Sequence, residues 1–123
     1  AAHSRVTVPY KWFSQNPFKS TYFACLAMAA EMSTGVLGLL QIHKRIPAVS
    51  MLVVNLEAAY FKKAVGRTTF ICEDGYLIQA AVDEAITTGD ARMVRAKSVG
   101  KNKDGEIVAE FYITWSFKSK SIK

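Results

Sequence analysis

From Tyr22 to Ile42 the chain is apolar almost without interruption, broken by one acidic residue, Glu31, and the small polar pair Ser33 and Thr34. Such a run predicts a long helix that is apolar on every face and therefore buried all round. A transmembrane span is the rival, because the run passes the length threshold of about 18 residues. An acidic side chain in mid-span costs about 2.5 kcal/mol or more, and the strands that follow need a helix to cover their apolar face, so no membrane insertion is expected. An ionised carboxylate in apolar surroundings is costly unless something pairs or uses it. Glu31 is therefore the leading candidate for chemistry.

The segments around the helix read mostly as strands. Arg5 to Tyr10 alternates polar and apolar residues, with Pro9 marking an edge or an end. Pro17 disfavours helix at Asn16, and Ser20 or Thr21 offers an N-cap, which puts the helix start near Tyr22. Lys44, Arg45 and Pro47 end the helix, with His43 as a surface or capping residue at its C-terminus. Val49 to Lys62 reads as a long strand with Leu52, Val54, Leu56, Ala58 and Tyr60 on one face. Its other face mixes Asn55 and Glu57 with Met51, Val53 and Phe61, as suits a subunit contact. Arg67 to Glu73 is a further strand, stopped by Asp74-Gly75. Ile78, Ala81, Val82, Ala85 and Ile86 fall at helical spacing before a stop at Gly89. Asp90 to Lys101 and Glu106 to Lys118 flank the turn Asn102-Lys103-Asp104-Gly105 as a hairpin. In its second strand Ile107, Ala109, Phe111, Ile113, Trp115 and Phe117 share the core face.

With 123 residues, 50% hydrophobic and 21% charged, the chain fits a single α+β domain and excludes a disordered one. Cys25 and Cys72 lie far apart among apolar neighbours without ligand spacing, so reduced, buried thiols are expected. Ala1 to Tyr10 lacks the apolar core of a secretion signal, which makes a cytoplasmic location the default; the absence of an initial Met leaves room for an element before Ala1. The net charge of +6 favours an anionic partner. Lys101, Lys103, Lys118, Lys120 and Lys123 nevertheless read as solvated charge, and no nucleic-acid-binding motif is present. No metal cluster, P-loop or serine-histidine-acid triad is evident.

A short strand, one long helix and four antiparallel strands resemble the hot-dog fold, in which a curved antiparallel sheet wraps a central helix. A closer resemblance is to hot-dog acyl-CoA thioesterases of the phenylacetate and 4-hydroxybenzoyl-CoA type. It is carried by Asn16-Pro17-Phe18, by Ala29-Ala30-Glu31-Met32-Ser33-Thr34-Gly35, by Val49-Ser50-Met51 and by Tyr60-Phe61-Lys62, and it covers nearly the whole chain. The resemblance implies that Glu31 acts as general base or nucleophile on a thioester. It assigns oxyanion stabilisation to the backbone N–H of Phe23 at the helix start, where unpaired N–H groups favour negative charge. Asn16 and Ser50 are implied as positioners of water or substrate. The family's usual His-Gly-Gly at the helix start is replaced by Thr21-Tyr22-Phe23, and the aromatic side chains reshape the approach that glycines would leave open.

Eight helical residues span about 12 Å, so Phe23 N–H and Glu31 of one chain cannot both touch one carbonyl group. Two antiparallel helices across a two-fold axis solve this, which predicts a homodimer with two equivalent sites, or a dimer of dimers. Lys62, Lys63, Arg67 and Arg95 are candidates for the phosphates of coenzyme A, together with Arg92 and Lys97. Coenzyme A enters only as part of the substrate, and no cofactor is expected. The expected partner is a small-molecule acyl thioester. The alternative is a non-catalytic module that binds an acyl or lipid-like ligand. A hydratase fits less well, because His43 lies at the far end of the helix.

Overall fold

The computed structural model describes residues 3–8, 23–43 and 45–120. In chain order these form β1 (Ser4–Val8), α1 (Phe23–Ile42), β2 (Val49–Tyr60), β3 (Thr68–Cys72), α2 (Gly75–Thr88), β4 (Arg92–Lys101) and β5 (Ile107–Ser119). The strands make one sheet in the order β1-β3-β4-β5-β2, with every neighbouring pair antiparallel. Both helices cover the same face, α1 against β1, β3, β4 and β5, and α2 against α1, β4 and β5. The sheet and covering helix of the expected α+β architecture are therefore present.

Alternation in β5 builds the core. Phe111, Ile113 and Phe117 are fully buried and Trp115 is 7% exposed. On β4, the small residues Ala96, Ser98 and Gly100 pair with Ile113, Phe111 and Ala109 and leave room for the helices. Gly100 has a further constraint, because a Cβ there would lie 2.6 Å from Cε1 of the buried Phe70 ring. The β4–β5 turn closes through Asn102, whose Oδ1 accepts from the N–H groups of Asp104 and Glu106 at 3.0 Å each. Gly105 takes the left-handed conformation there, with φ 81°. Gly89 ends α2 in the same region, and its N–H donates to the Ala85 carbonyl.

Two expectations need correction. The first concerns α1, which is not buried all round. Leu26, Ala29, Ala30, Ser33, Thr34 and Leu37 are buried, whereas Met28, Met32 and Leu39 are 61%, 56% and 57% exposed, and Glu31 is exposed beside them. A helix that is apolar on every side meets, among the described residues, one sheet and one short helix, which leaves its remaining side exposed.

The second concerns β2. Its pairing with β5 shifts between Val53 and Asn55, so Val54 is an extra residue that flips the phase of the strand. Val49, Met51 and Val53 share the inner face before the bulge, as Leu56, Ala58 and Tyr60 do after it, opposite Ile113, Phe111 and Ala109. Leu52 belongs to the outer face, with Asn55 and Glu57. The strand also stops at Tyr60, short of Lys62. Among the described residues β2 is terminal in the sheet and pairs on one side only.

Buried hydroxyls tie the middle of α1 to the sheet. Ser33 Oγ lies 2.7 Å from Ser98 Oγ on β4 and donates to the Ala30 carbonyl at 2.7 Å. Ser4 Oγ on β1 donates to the Ser33 carbonyl. The indole N–H of Trp115 on β5 donates to Thr34 Oγ1 at 2.8 Å, and Thr34 in turn donates to the Glu31 carbonyl at 2.9 Å. The turn that carries Glu31 is thus held from three strands. At its C-terminus the helix is capped by Arg45, whose Nε donates to the Gln41 carbonyl at 2.9 Å and whose guanidinium pairs with Asp83 of α2.

Cys72 is fully buried, Cys25 is partly so, and both are free thiols. Burial pushes the Cys72 thiol up to about 11, so it stays protonated and inert near neutral pH. Cys72 should therefore resist a thiol reagent at pH 8 until denaturant is added; modification in the native protein at the rate of a free cysteine would contradict this. Gly100→Ala should lower stability by about 1–3 kcal/mol, because the Phe70 ring cannot move aside in a filled core. A urea unfolding curve with an unshifted midpoint would count against that packing.

Candidate functional site

Along the uncovered side of α1, Met28, Glu31, Met32, Gly35, Val36 and Leu39 form one wall of a groove whose other wall is Met51 on β2 and Trp115 on β5. Its volume is about 410 Å³. The helical residues recur at three- and four-residue spacing, which keeps them on one face. Seven of the eight lining residues are apolar and Glu31 is the one charged group. Among the described residues, the Glu31 carboxylate has no ion-pair or hydrogen-bond partner, while its backbone carbonyl accepts from Thr34. An unpaired carboxylate in an apolar groove can accept a proton from water, or attack an electrophile directly, without first breaking a salt bridge.

Three of the chain's four methionines line this groove. Their flexible thioether side chains adapt to irregular apolar shapes. Trp115 forms the floor at Gly35, where a Cβ would lie 3.1 Å from its Cζ2. At Gly38 a Cβ would come within 2.9 Å of Met51 Cε and 3.1 Å of Phe117 Cζ. The two glycines therefore let the sheet side chains press against the helix. Alternation in β5 places Trp115 in the core, where it is 7% exposed, and no sequence pattern singles out the methionines. The available signal was Gly35, one turn after Glu31 on the same helical face.

The other sequence-derived positions are dispersed. Phe23 begins α1, eight residues before Glu31, so within one chain its N–H lies about 12 Å along the axis from Glu31. Asn16 lies outside the described residues. Ser50 is exposed on β2, where its Oγ donates to the Lys118 carbonyl at 3.3 Å. Strand alternation turns it to the opposite face from Met51, so it does not join Glu31 in the groove of one chain. Lys62 pairs with Glu106, and Arg95 pairs with Glu57 at 3.2 Å while stacking 4.0 Å from the Tyr112 ring centroid. Lys63 and Arg67 are exposed in the β2–β3 connection. Asn55 Nδ2 donates to Glu57 Oε1 at 3.2 Å, which completes a polar cluster with Arg95 on the outer face.

A second hollow, of about 320 Å³, lies on that outer face among Ile71, Val99, Ile107 and the charged Glu73, Asp74, Lys97, Lys101 and Glu110. Its central charges answer one another. Lys97 Nζ is 3.3 Å from Glu110, whose hydrogen bond holds the ammonium above its ordinary range, and the Lys97 N–H donates to Asp74 at 2.7 Å. Among the described residues, no three His, Cys, Asp or Glu side chains are grouped to hold a metal ion.

No protein-family model matches the chain, and no curated protein matches it. Solved structures do. A Pseudomonas aeruginosa protein of unknown function, described as a probable thioesterase, superposes with a TM-score of 0.83 at 21% identity, over 97% of this chain and 78% of its own. A thioesterase from Haemophilus influenzae gives 0.71 at 12% identity, over 96% and 73% of the two chains. A variant of another Pseudomonas aeruginosa thioesterase gives 0.72 at 12% identity, over 97% and 76%. At these identities the likeness is one of fold, and the chain has the hot-dog fold found in thioesterase structures.

Proposed function

We propose that the chain hydrolyses an acyl thioester such as an acyl-CoA, with Glu31 as general base or nucleophile. The observation that carries this reading is a lone carboxylate, without a partner among the described residues, set in an apolar groove on the central helix. Proteins of the same fold that are described as thioesterases add support. As general base, the carboxylate takes a proton from water while the oxygen adds to the thioester carbonyl. The carbon–sulfur bond then breaks, and the departing sulfur leaves as a thiol once it regains a proton. A backbone N–H at the Phe23 end of a helix is suited to hold the negative oxygen formed in between. Lys62, Lys63, Arg67 and Arg95 are the candidates for phosphate contact, with Lys63 and Arg67 exposed after β2 and Lys62 and Arg95 beside Glu106 and Glu57.

The reading needs a second copy, because the 12 Å between Phe23 and Glu31 separates the two groups within one chain. A homodimer is supported by the surface beside the groove. Among the described residues strand β2 pairs along one edge only, and it exposes Leu56 on its inner face and Leu52 on its outer face, on either side of the bulged Val54, while the α1 stripe is exposed as well. Long exposed edges and large apolar patches are uncommon on monomers. If the second copy lies antiparallel, its helix start meets Glu31 and its side chains close the groove against water.

Wild-type protein should release free thiol from an acyl-CoA panel, and Glu31→Gln should lower the rate on the order of 10²–10⁴-fold. Unchanged turnover in that variant would sink the assignment. Binding of acyl-CoA without thiol release would instead identify a ligand-binding module. Replacing Leu52 and Leu56 by Lys on the β2 edge should give a monomer by light scattering; an intact dimer would locate the contact elsewhere.

A further inference from the structure

We propose that Trp115 is the specificity-determining residue of the groove, a fixed stop that limits acceptance to short or compact acyl groups. The proposal rests on the thioester reading and adds to it the class of acyl group. Three observations converge on this indole. It forms the groove floor between β5 and α1. It packs closely against the helix at Gly35, where a Cβ would lie 3.1 Å from Cζ2 and 3.5 Å from Cη2. Its N–H is bonded to the buried Thr34 at 2.8 Å, and Thr34 bonds the Glu31 carbonyl at 2.9 Å.

These contacts give the stop both a position and a stiffness. Glu31 and Gly35 are one helical turn apart on the same face, about 5–6 Å along the axis. An acyl group whose carbonyl sits at Glu31 and whose far end turns in between α1 and the sheet meets the indole after about that distance. The neighbouring walls are Met28, Met32 and Met51, which rearrange readily, whereas the indole is both packed and hydrogen-bonded. Beside it, Met51 and Phe117 lie close against Gly38. Branched or ring-bearing acyl groups fit this geometry, since a planar ring can lie against the indole; a long linear chain would have to displace it.

Two substitutions should move the limit in opposite directions. Trp115→Phe removes the part of the indole nearest Gly35 and should admit longer acyl groups, with a relative gain in kcat/KM on the order of 10-fold or more per methylene newly accommodated. Gly35→Ala raises the floor and should shift the cut-off to shorter groups. The measurement is kcat/KM for acyl-CoAs from acetyl to palmitoyl, with the dissociation constants of matching S-alkyl-CoA thioethers, which cannot be hydrolysed. Opposite shifts support the stop. A cut-off that stays put in both variants, or moves the same way in both, overturns it. If no thioester is hydrolysed, the thioether series still decides: opposite shifts keep the stop while removing the catalytic reading, and affinities independent of chain length remove the stop. Should Trp115→Phe fail to fold, Gly35→Ala alone decides, and an unshifted cut-off there overturns the proposal.

Discussion

A helix that is apolar around its whole circumference cannot be covered by one sheet, and the arrangement of this chain follows from that mismatch. The sheet and α2 take the side of α1 bearing Leu26, Ala30 and Leu37. Ser33 and Thr34 add hydrogen bonds that no purely apolar contact could direct, fixing the helix against Ser98 and Trp115. What remains is the stripe from Met28 to Leu39, with Glu31 in it. The same mismatch that leaves the stripe open also supplies the apolar walls of the groove.

The open stripe meets β2 at Met51, and two uses of that surface are compatible. A second copy laid along it would bury the exposed methionines and leucines, and would exclude water from around Glu31. Electrostatic interactions strengthen when water is removed, so the same closure that makes a dimer favourable would make a developing oxyanion easier to hold. The cluster of Glu57, Arg95 and Tyr112 on the opposite face has its charges already matched, which turns attention back to the groove.

Much of this was legible in the sequence because alternation in β5 is strict: each inward residue from Ala109 to Phe117 is apolar and each outward one is polar or amphipathic. Strand β2 was harder. Leu52, Val53 and Val54 are all apolar, so nothing in their chemistry marks the bulge, and an unbroken period groups Leu52 with Leu56, Ala58 and Tyr60 although pairing with β5 puts it on the opposite face. The exposure of Met28, Met32 and Leu39 was hidden for a related reason, since apolar residues on every face of a helix do not say which face lacks a neighbour. Glu31 stood out because a charge breaks such a run visibly. Trp115 did not, because its role depends on Gly35, far from it in sequence and adjacent only after folding.

The central claim is that Glu31 works only when a second chain completes its site. Specific thioesterase activity measured across a dilution series, alongside the dimer fraction from sedimentation on the same samples, tests it most directly. The account predicts that activity per chain falls in step with the dimer fraction and recovers on reconcentration. Undiminished activity in samples that sediment as monomers would contradict it.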